Sequence, residues 1–256
     1  MKAVILAGGL GTRLSEETDL KPKPMVEIGG YPIIWHIMKT YYKYGVDDFI
    51  ICCGYKGKVI KDFFLNYSSL TSDITINLKN NTVDVHRVGS EPWRITLIDT
   101  GEHTMTGGRL LRVKEYVKDE PFLMTYGDGV GTIDVQKSIG FHHSHGKIAT
   151  MTVTNPPGRF GAVELQGRMV KEFSEKPSHN TGLINAGFFV LSPEVFEYIE
   201  GDETIFEQEP LKKLTDDREL MAHVHQGFWQ PMDTLRDKNN LNHLWVNNKA
   251  PWKVWE

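Results

Sequence analysis

The stretch MKAVILAGGLGTRLSEETDLKPKPM, residues 1–25, decides the fold. Ala3 to Leu6 is an apolar run suited to a buried strand, and Gly8, Gly9 and Gly11 follow almost at once. A strand that runs into glycines and then a helix presents backbone N–H groups to phosphate, because glycine adopts unusual dihedrals and leaves no side chain in the way. The spacing is neither that of a Walker loop, since no Gly-Lys-Ser/Thr follows, nor GxGxxG. On the glycines alone the segment is a phosphate loop or a tight structural turn. Neighbouring charge favours the phosphate loop: Arg13 closes the segment, and Lys21 and Lys23 each precede a proline. Pro22 and Pro24 bias both lysines towards extended backbone, and a stiffened lysine loses less entropy when a ligand holds it. Residue type does not choose between the two lysines.

Further along, short apolar runs alternate with helical patterns, as strands do when crossover helices separate them. Apolar residues recur from Ile33 to Tyr44 with Pro32 before them and Gly45 after, which predicts a helix. Asp48 to Cys53 reads as a strand and Val59 to Leu65 as a short helix. Between Ile74 and Val85, two alternating runs flank Lys79-Asn80-Asn81-Thr82, a hairpin pattern with one wet face. Arg109 to Lys118 is helical and Pro121 to Tyr126 a strand that ends in Gly127-Asp128-Gly129. Strand patterns dominate beyond Gly146, and Leu235 to Val246 is a last helix. No linker or repeat divides the chain, so residues 1–256 form one α/β unit: 1–130 face the nucleotide, 131–256 the substrate, and 70–98 form an insertion.

At 256 residues, with 40% apolar and 24% charged, the chain can bury a substantial core. A net charge of -4 does not favour nucleic acid, and no basic run marks an anionic membrane surface, so any anion site is built locally. No segment approaches the ~20 apolar residues that span a bilayer, and a cytoplasmic protein without membrane partners is expected. Cys52 and Cys53 are adjacent on a strand and point to opposite faces, which predicts two reduced, buried thiols.

Acidic residues at strand ends supply the complement of a phosphate site. Asp128 sits in a glycine-flanked turn after a strand, where one or two carboxylates and nucleotide oxygens hold Mg²⁺; an Asx turn without metal is the alternative. Asp233 is a second metal ligand or the N-cap of the helix that begins after it. His142, His143, His145, His223 and His225 lack zinc spacing and read as surface or helix-end residues. No arrangement offers a nucleophile for covalent catalysis.

Leu6 to Leu14, followed by Pro22-Lys23-Pro24-Met25, resembles the signature of the sugar-1-phosphate nucleotidyltransferases. Met105 to Leu110, Thr125 to Gly129, Pro156 to Gly161, Glu175-Lys176-Pro177, Asn185 to Phe189 and Gly227 to Thr234 extend the resemblance over nearly the whole chain. It implies a Rossmann-like GT-A-type fold, a mixed and mostly parallel central sheet flanked by helices. It also implies Mg²⁺ dependence and the conversion of CTP and glucose 1-phosphate to CDP-glucose and pyrophosphate, for deoxysugars of surface polysaccharide such as lipopolysaccharide O-antigen. By the same resemblance Leu6, Ala7, Gly8, Gly9, Leu10, Gly11, Thr12 and Arg13 line the nucleotide, and Lys23, Arg13 and Asp128 act at the reacting centre. Thr104 and Arg109 contact the cytidine nucleotide; Gly161, Glu175, Lys176 and Asn185 line the sugar phosphate; Asp128 and Asp233 hold the metal. Ala186 stands where the family's usual sequence has glycine, which leaves Asn185 in place.

UTP or dTTP in place of CTP is a rival within this class. A dinucleotide-binding oxidoreductase is disfavoured by the glycine spacing and by the lack of an acidic residue at the end of a second strand. A noncatalytic nucleotide sensor need not keep Arg13, Lys23 and Asp128 together. A homo-oligomer, a hexamer, is expected from the resemblance. The hairpin around Ile74 to Val85 and Trp93, Trp252 and Trp255 are candidates for its contacts, or else they cap the chain's own sheet.

Overall fold

The computed structural model describes residues 1–11, 14, 18, 20–87, 89, 91–156, 162–166, 169–174 and 182–255. Seven strands form the central sheet: β1 (Ala3–Ala7), β2 (Asp48–Cys53), β3 (Arg94–Asp99), β4 (Phe122–Tyr126), β5 (Ala149–Thr154), β6 (Ile184–Leu191) and β7 (Leu220–His225). Their order across the sheet is β7-β5-β6-β4-β1-β2-β3. The sheet is parallel except for β6, which runs antiparallel to both β4 and β5. The mixed, mostly parallel α/β architecture is therefore as expected.

Both faces of the central strands β1, β2 and β4 are buried, which is why they read as unbroken apolar runs, whereas the outer strands β3 and β7 are only partly buried and mix polar with apolar residues. Ala3, Ile5 and Ala7 of β1 join one core cluster with helix α1 (Ile33–Lys43), while Val4 and Leu6 join another with α3 (Thr106–Arg112). The remaining longer helices are α2 (Gly57–Leu65), α4 (Val135–His145), α5 (Glu209–Asp216) and α6 (Leu235–Val246). Among the described residues no helix is long and apolar enough to cross a membrane. Cys52 and Cys53 are free and buried on opposite faces; burial pushes the Cys53 thiol up to about 11.

Four expectations change. Within 70–98, Asp73–Asn77 and Thr82–Arg87 form the hairpin, but Arg94–Asp99 is the edge strand β3 of the central sheet. The hairpin has no dry face within one chain: Ile76 is 55%, Val83 55% and Leu78 84% exposed. Trp252 is not on the surface. It is fully buried and its ring edge faces His36, where it helps fasten the C-terminal segment to α1. His142 is a helix-end residue, in the last turn of α4, but is buried rather than on the surface, hydrogen-bonded through its two ring nitrogens to Thr150 and Ser192.

Candidate active site

Strand β1 is the switch point of the sheet, with β2 and β3 on one side and β4 on the other, and ligands bind beyond the carboxyl ends of strands at such a point. A cleft of about 440 Å³ opens there. Gly8, Gly9 and Gly11 border it after β1, and Gly127 and Asp128 after β4.

The glycines have different reasons. A Cβ on Gly8 would lie 2.1 Å from the Arg109 guanidinium. Gly11 has φ +66°, the left-handed region that side chains avoid. A Cβ on Gly9 would meet nothing within 4 Å, so the fold does not require glycine there. The bare backbone of Gly9 faces the cleft, which is where a ligand makes close approach useful.

Arg109 explains how this loop is held. Its buried guanidinium donates to the carbonyls of Gly8 (3.0 Å), Gly101 (2.7 Å) and Glu102 (3.1 Å) and to the Thr100 hydroxyl (2.8 Å). The Gly8 carbonyl also accepts from the Tyr55 N–H, 3.1 Å away. Thr104 is buried and borders the same cleft.

Asp128 and Asp233 are distant in sequence and adjacent in space. Gly129–Gly131 pairs antiparallel with Trp229–Pro231, and the Met232 N–H donates to the Asp128 carbonyl at 2.8 Å, so each aspartate lies at the mouth of one short ladder. Between them stands the Lys23 ammonium, 2.8 Å from Asp128 Oδ2 and 2.7 Å from Asp233 Oδ1. Burial works against the Lys23 charge, yet the carboxylates, Asp128 foremost, outweigh it and raise the pKa above the ordinary lysine value. Lys21 turns away and pairs with Glu27 at 2.7 Å. Lys23 is not extended as the prolines suggested. It opens a 3-10 turn, Lys23–Met25, closed by Met25 N–H to Pro22 O and Val26 N–H to Lys23 O. Pro24 fits the first turn because its missing N–H is not needed there.

Two groups of relatives match this chain. The family description "Nucleotidyl transferase" covers residues 2–237. A glucose-1-phosphate cytidylyltransferase of Salmonella typhi is 62% identical over 257 residues, all of both chains, and one of Salmonella typhimurium is 61% identical over the same span. The chain belongs to the nucleotidyl transferase family. Among solved structures, HddC from Yersinia pseudotuberculosis shares the fold at a TM-score of 0.70 and 24% identity, over 95% of this chain and 99% of that one.

In this nucleotidyl transferase a second recess, about 180 Å³, adjoins the cleft across Tyr126, Asp128 and Asp233. Asn185 lies at the start of β6, and because β6 is reversed its beginning meets the carboxyl end of β4. The Asn185 amide donates to the Tyr126 hydroxyl at 3.3 Å, and its Oδ1 accepts from the Gly187 N–H at 2.7 Å. Thr12, Arg13, Gly161, Glu175 and Lys176 lie outside the described residues. The structure thus brings together Lys23, Asp128, Asp233, Thr104 and the glycine loop, with Asn185 in the neighbouring recess.

The metal expectation can be tested on the donor set. Among the described residues no three His, Cys, Asp or Glu side chains converge into a closed cage. Two carboxylates whose oxygens already share one cation within 2.8 Å fit Mg²⁺, which is held through one or two carboxylates and otherwise by phosphate and water.

Sequence reading missed two residues. Asp237 is 9% exposed; its Oδ2 accepts from the N–H groups of Asp233 (3.2 Å) and Thr234 (3.0 Å), while Oδ1 accepts from Gln230 (3.0 Å). It closes a capping box with Thr234, so Thr234 and not Asp233 is the N-cap of α6. Glu207 borders the cleft and accepts from the Tyr126 hydroxyl at 2.5 Å and the Thr106 hydroxyl at 2.6 Å. Burial, with the nearby Glu207 charge, pushes the Tyr126 phenol far up, which keeps it a donor.

Proposed function

We propose that this chain transfers a cytidylyl group from CTP to glucose 1-phosphate, giving CDP-glucose and pyrophosphate, the reaction named for its full-length Salmonella relatives. The observation that carries the proposal is the meeting of Lys23, Asp128 and Asp233 beside the glycine loop at the sheet's switch point. A phosphate oxygen of glucose 1-phosphate attacks the α-phosphorus of CTP. A new P–O bond forms as the bond from the α-phosphorus to the bridging oxygen of pyrophosphate breaks.

Both substrates are polyanions, and two unit charges ~4 Å apart interact by about 4 kcal/mol at an effective dielectric of 20. Lys23 supplies a positive charge fixed at the reacting centre, and the loop around Gly9 supplies backbone N–H groups without a blocking side chain. Mg²⁺, held by Asp128 and Asp233, supplies further neutralisation of phosphate charge when bound. Asn185 orients the sugar from the adjoining recess. Chemistry of this kind needs positioning and charge rather than a protein nucleophile, which fits a cleft built from lysine, carboxylates and backbone.

The assay is release of pyrophosphate from CTP, glucose 1-phosphate and Mg²⁺, with CDP-glucose identified as product. Asp128→Asn should lose about a hundredfold or more in turnover while remaining folded; wild-type turnover in that variant would refute the site. The same reading makes the protein a cytoplasmic supplier of CDP-linked deoxysugars for surface polysaccharide, in line with its two unbridged cysteines.

The protein acts as a homo-oligomer, a hexamer, in this reading. Support comes from the hairpin, whose Ile76, Leu78, Val83 and Val85 leave an apolar face uncovered within one chain. Ile76→Lys with Val85→Lys should shift the mass measured by light scattering to a smaller species; a monomeric wild type at micromolar concentration would refute it.

A further inference from the structure

The cleft straddles the edge of the sheet and has two chemically unlike ends. Lys23, with Met25 and Val26 behind it in one core layer, meets Asp128 and Asp233 at one end. Tyr126 packs against the opposite layer, and Thr106 and Glu207 join it at the other. Gly8 and Gly9, on the loop after β1, line the same cleft. Phosphates belong at the first end, where the ammonium stands. The two carboxylates there share the Lys23 ammonium, whereas Glu207 is met by two hydroxyls and by no side-chain cation among the described residues, so it would repel phosphate and faces the uncharged part of the nucleotide.

The hydrogen-bond directions at that end are fixed. The Tyr126 and Thr106 hydroxyls both spend their protons on Glu207, one on each carboxylate oxygen. The oxygen of Tyr126 accepts from the Asn185 amide, and that of Thr106 from the Phe206 N–H at 2.9 Å. These three side chains therefore present acceptors and no remaining proton, while each carboxylate oxygen keeps a free lone-pair direction. Such a wall favours an amine and rejects a carbonyl. It does not sort hydroxyls, which can donate or accept.

Resting on the reading that CTP is the substrate, we propose that Glu207 is a specificity-determining residue, whose carboxylate accepts a hydrogen bond from the exocyclic amine of cytosine and disfavours the carbonyl of uracil. The pairing is the one by which carboxylates read cytosine elsewhere. Thr106 and Tyr126 are positioning residues that hold the two carboxylate oxygens in place.

The test compares kcat/KM for CTP, UTP and dCTP, each with glucose 1-phosphate and Mg²⁺, in the wild type and in Glu207→Gln, whose amide keeps the shape but replaces one acceptor by a donor. The CTP:UTP ratio should fall tenfold or more and the CTP:dCTP ratio should stay within twofold. A CTP:UTP ratio unchanged within twofold overturns the proposal. So does a fall in the CTP:dCTP ratio instead, which would place the carboxylate on the ribose. Glu207→Asp, which withdraws the same carboxylate by one methylene, should lower the CTP:UTP ratio in the same direction, and it decides the matter if the glutamine variant does not fold. Wild-type protein that makes no CDP-glucose refutes the substrate reading before any variant is compared, whereas CDP-glucose formation with an indifferent Glu207→Gln refutes the inference alone.

Discussion

Lys23 and Lys21 show how a residue's role depends on two or three neighbours. Each precedes a proline, so sequence gave them the same stiffness, yet only the 3-10 turn at Lys23–Met25 sends a side chain between Asp128 and Asp233. Lys21→Ala loses only a partly exposed pair with Glu27, worth about 0–1 kcal/mol. It should leave pyrophosphate release near the wild-type rate, while Lys23→Ala should lower it about a hundredfold or more. Equal losses in the two variants would remove Lys23 from the reacting centre. Gly9 offers a cleaner separation of folding from binding. Because a Cβ there meets only open space, Gly9→Ala should not lower the unfolding free energy by more than about 0.5 kcal/mol. The KM for CTP should nevertheless rise at least tenfold; an unchanged KM would show that the nucleotide does not approach this backbone. The glycine pattern was legible as a loop, but which glycine serves the ligand and which makes room for Arg109 depends on contacts across about a hundred residues, and no local spacing encodes those.

Helix α6 carries a role from its cap to the site. Asp237 satisfies Thr234 as a capping partner and also holds the N–H of Asp233, so one carboxylate fixes both the helix start and the backbone of a proposed metal ligand. Its removal takes an acceptor from several partly buried donors, at a cost of about 1 kcal/mol for each hydrogen bond lost. Asp237→Ala should therefore lower the denaturation midpoint and reduce kcat more than KM; a loss of stability with unchanged kcat would make Asp237 purely a cap. The Thr-x-x-Asp spacing is a local capping signal that the choice of Asp233 as N-cap passed over, whereas Glu207 has no local signal, since it is defined by hydroxyls 101 and 81 positions away. Helix α1 predicts a pH effect. His36 is fully buried, accepts from the Trp252 indole at Nδ1 and faces the Ile28 carbonyl with Nε2, and burial depresses its pKa to about 4. Between pH 6.5 and 4 the unfolded chain binds a proton that the folded chain refuses. Stability present at neutral pH is therefore lost as pH falls through that window, with a contribution of up to about 1.4 kcal/mol per pH unit from this group. Urea midpoints measured across the window should be less steep in His36→Asn than in wild type; parallel profiles would show that His36 is not the group responsible.

At the scale of the whole molecule, the α/β class followed from short apolar runs separated by helical patterns, because central strands buried on both faces are apolar throughout, whereas the cleft draws on both halves of the chain, Glu207 and Asp233 included. Edge strand β3 was less legible. Its alternating pattern matches the neighbouring hairpin, and only its parallel pairing with β2 assigns it to the central sheet. The direction of β6 was not legible either, since an apolar run does not state which way it points. That direction carries a consequence for the order in which the molecule can be made. Strands β1 to β4 are complete by Tyr126 and already contain the 3-2-1-4 half of the sheet with all its internal pairings. Strand β5, ending at Thr154, pairs with β6 and β7, both of which lie later in the chain. On a ribosome the first half can therefore close while β5 waits without a partner. The free edge of β4 is the seam at which the late half joins, and it stays open to pairing with other nascent chains until β6 emerges.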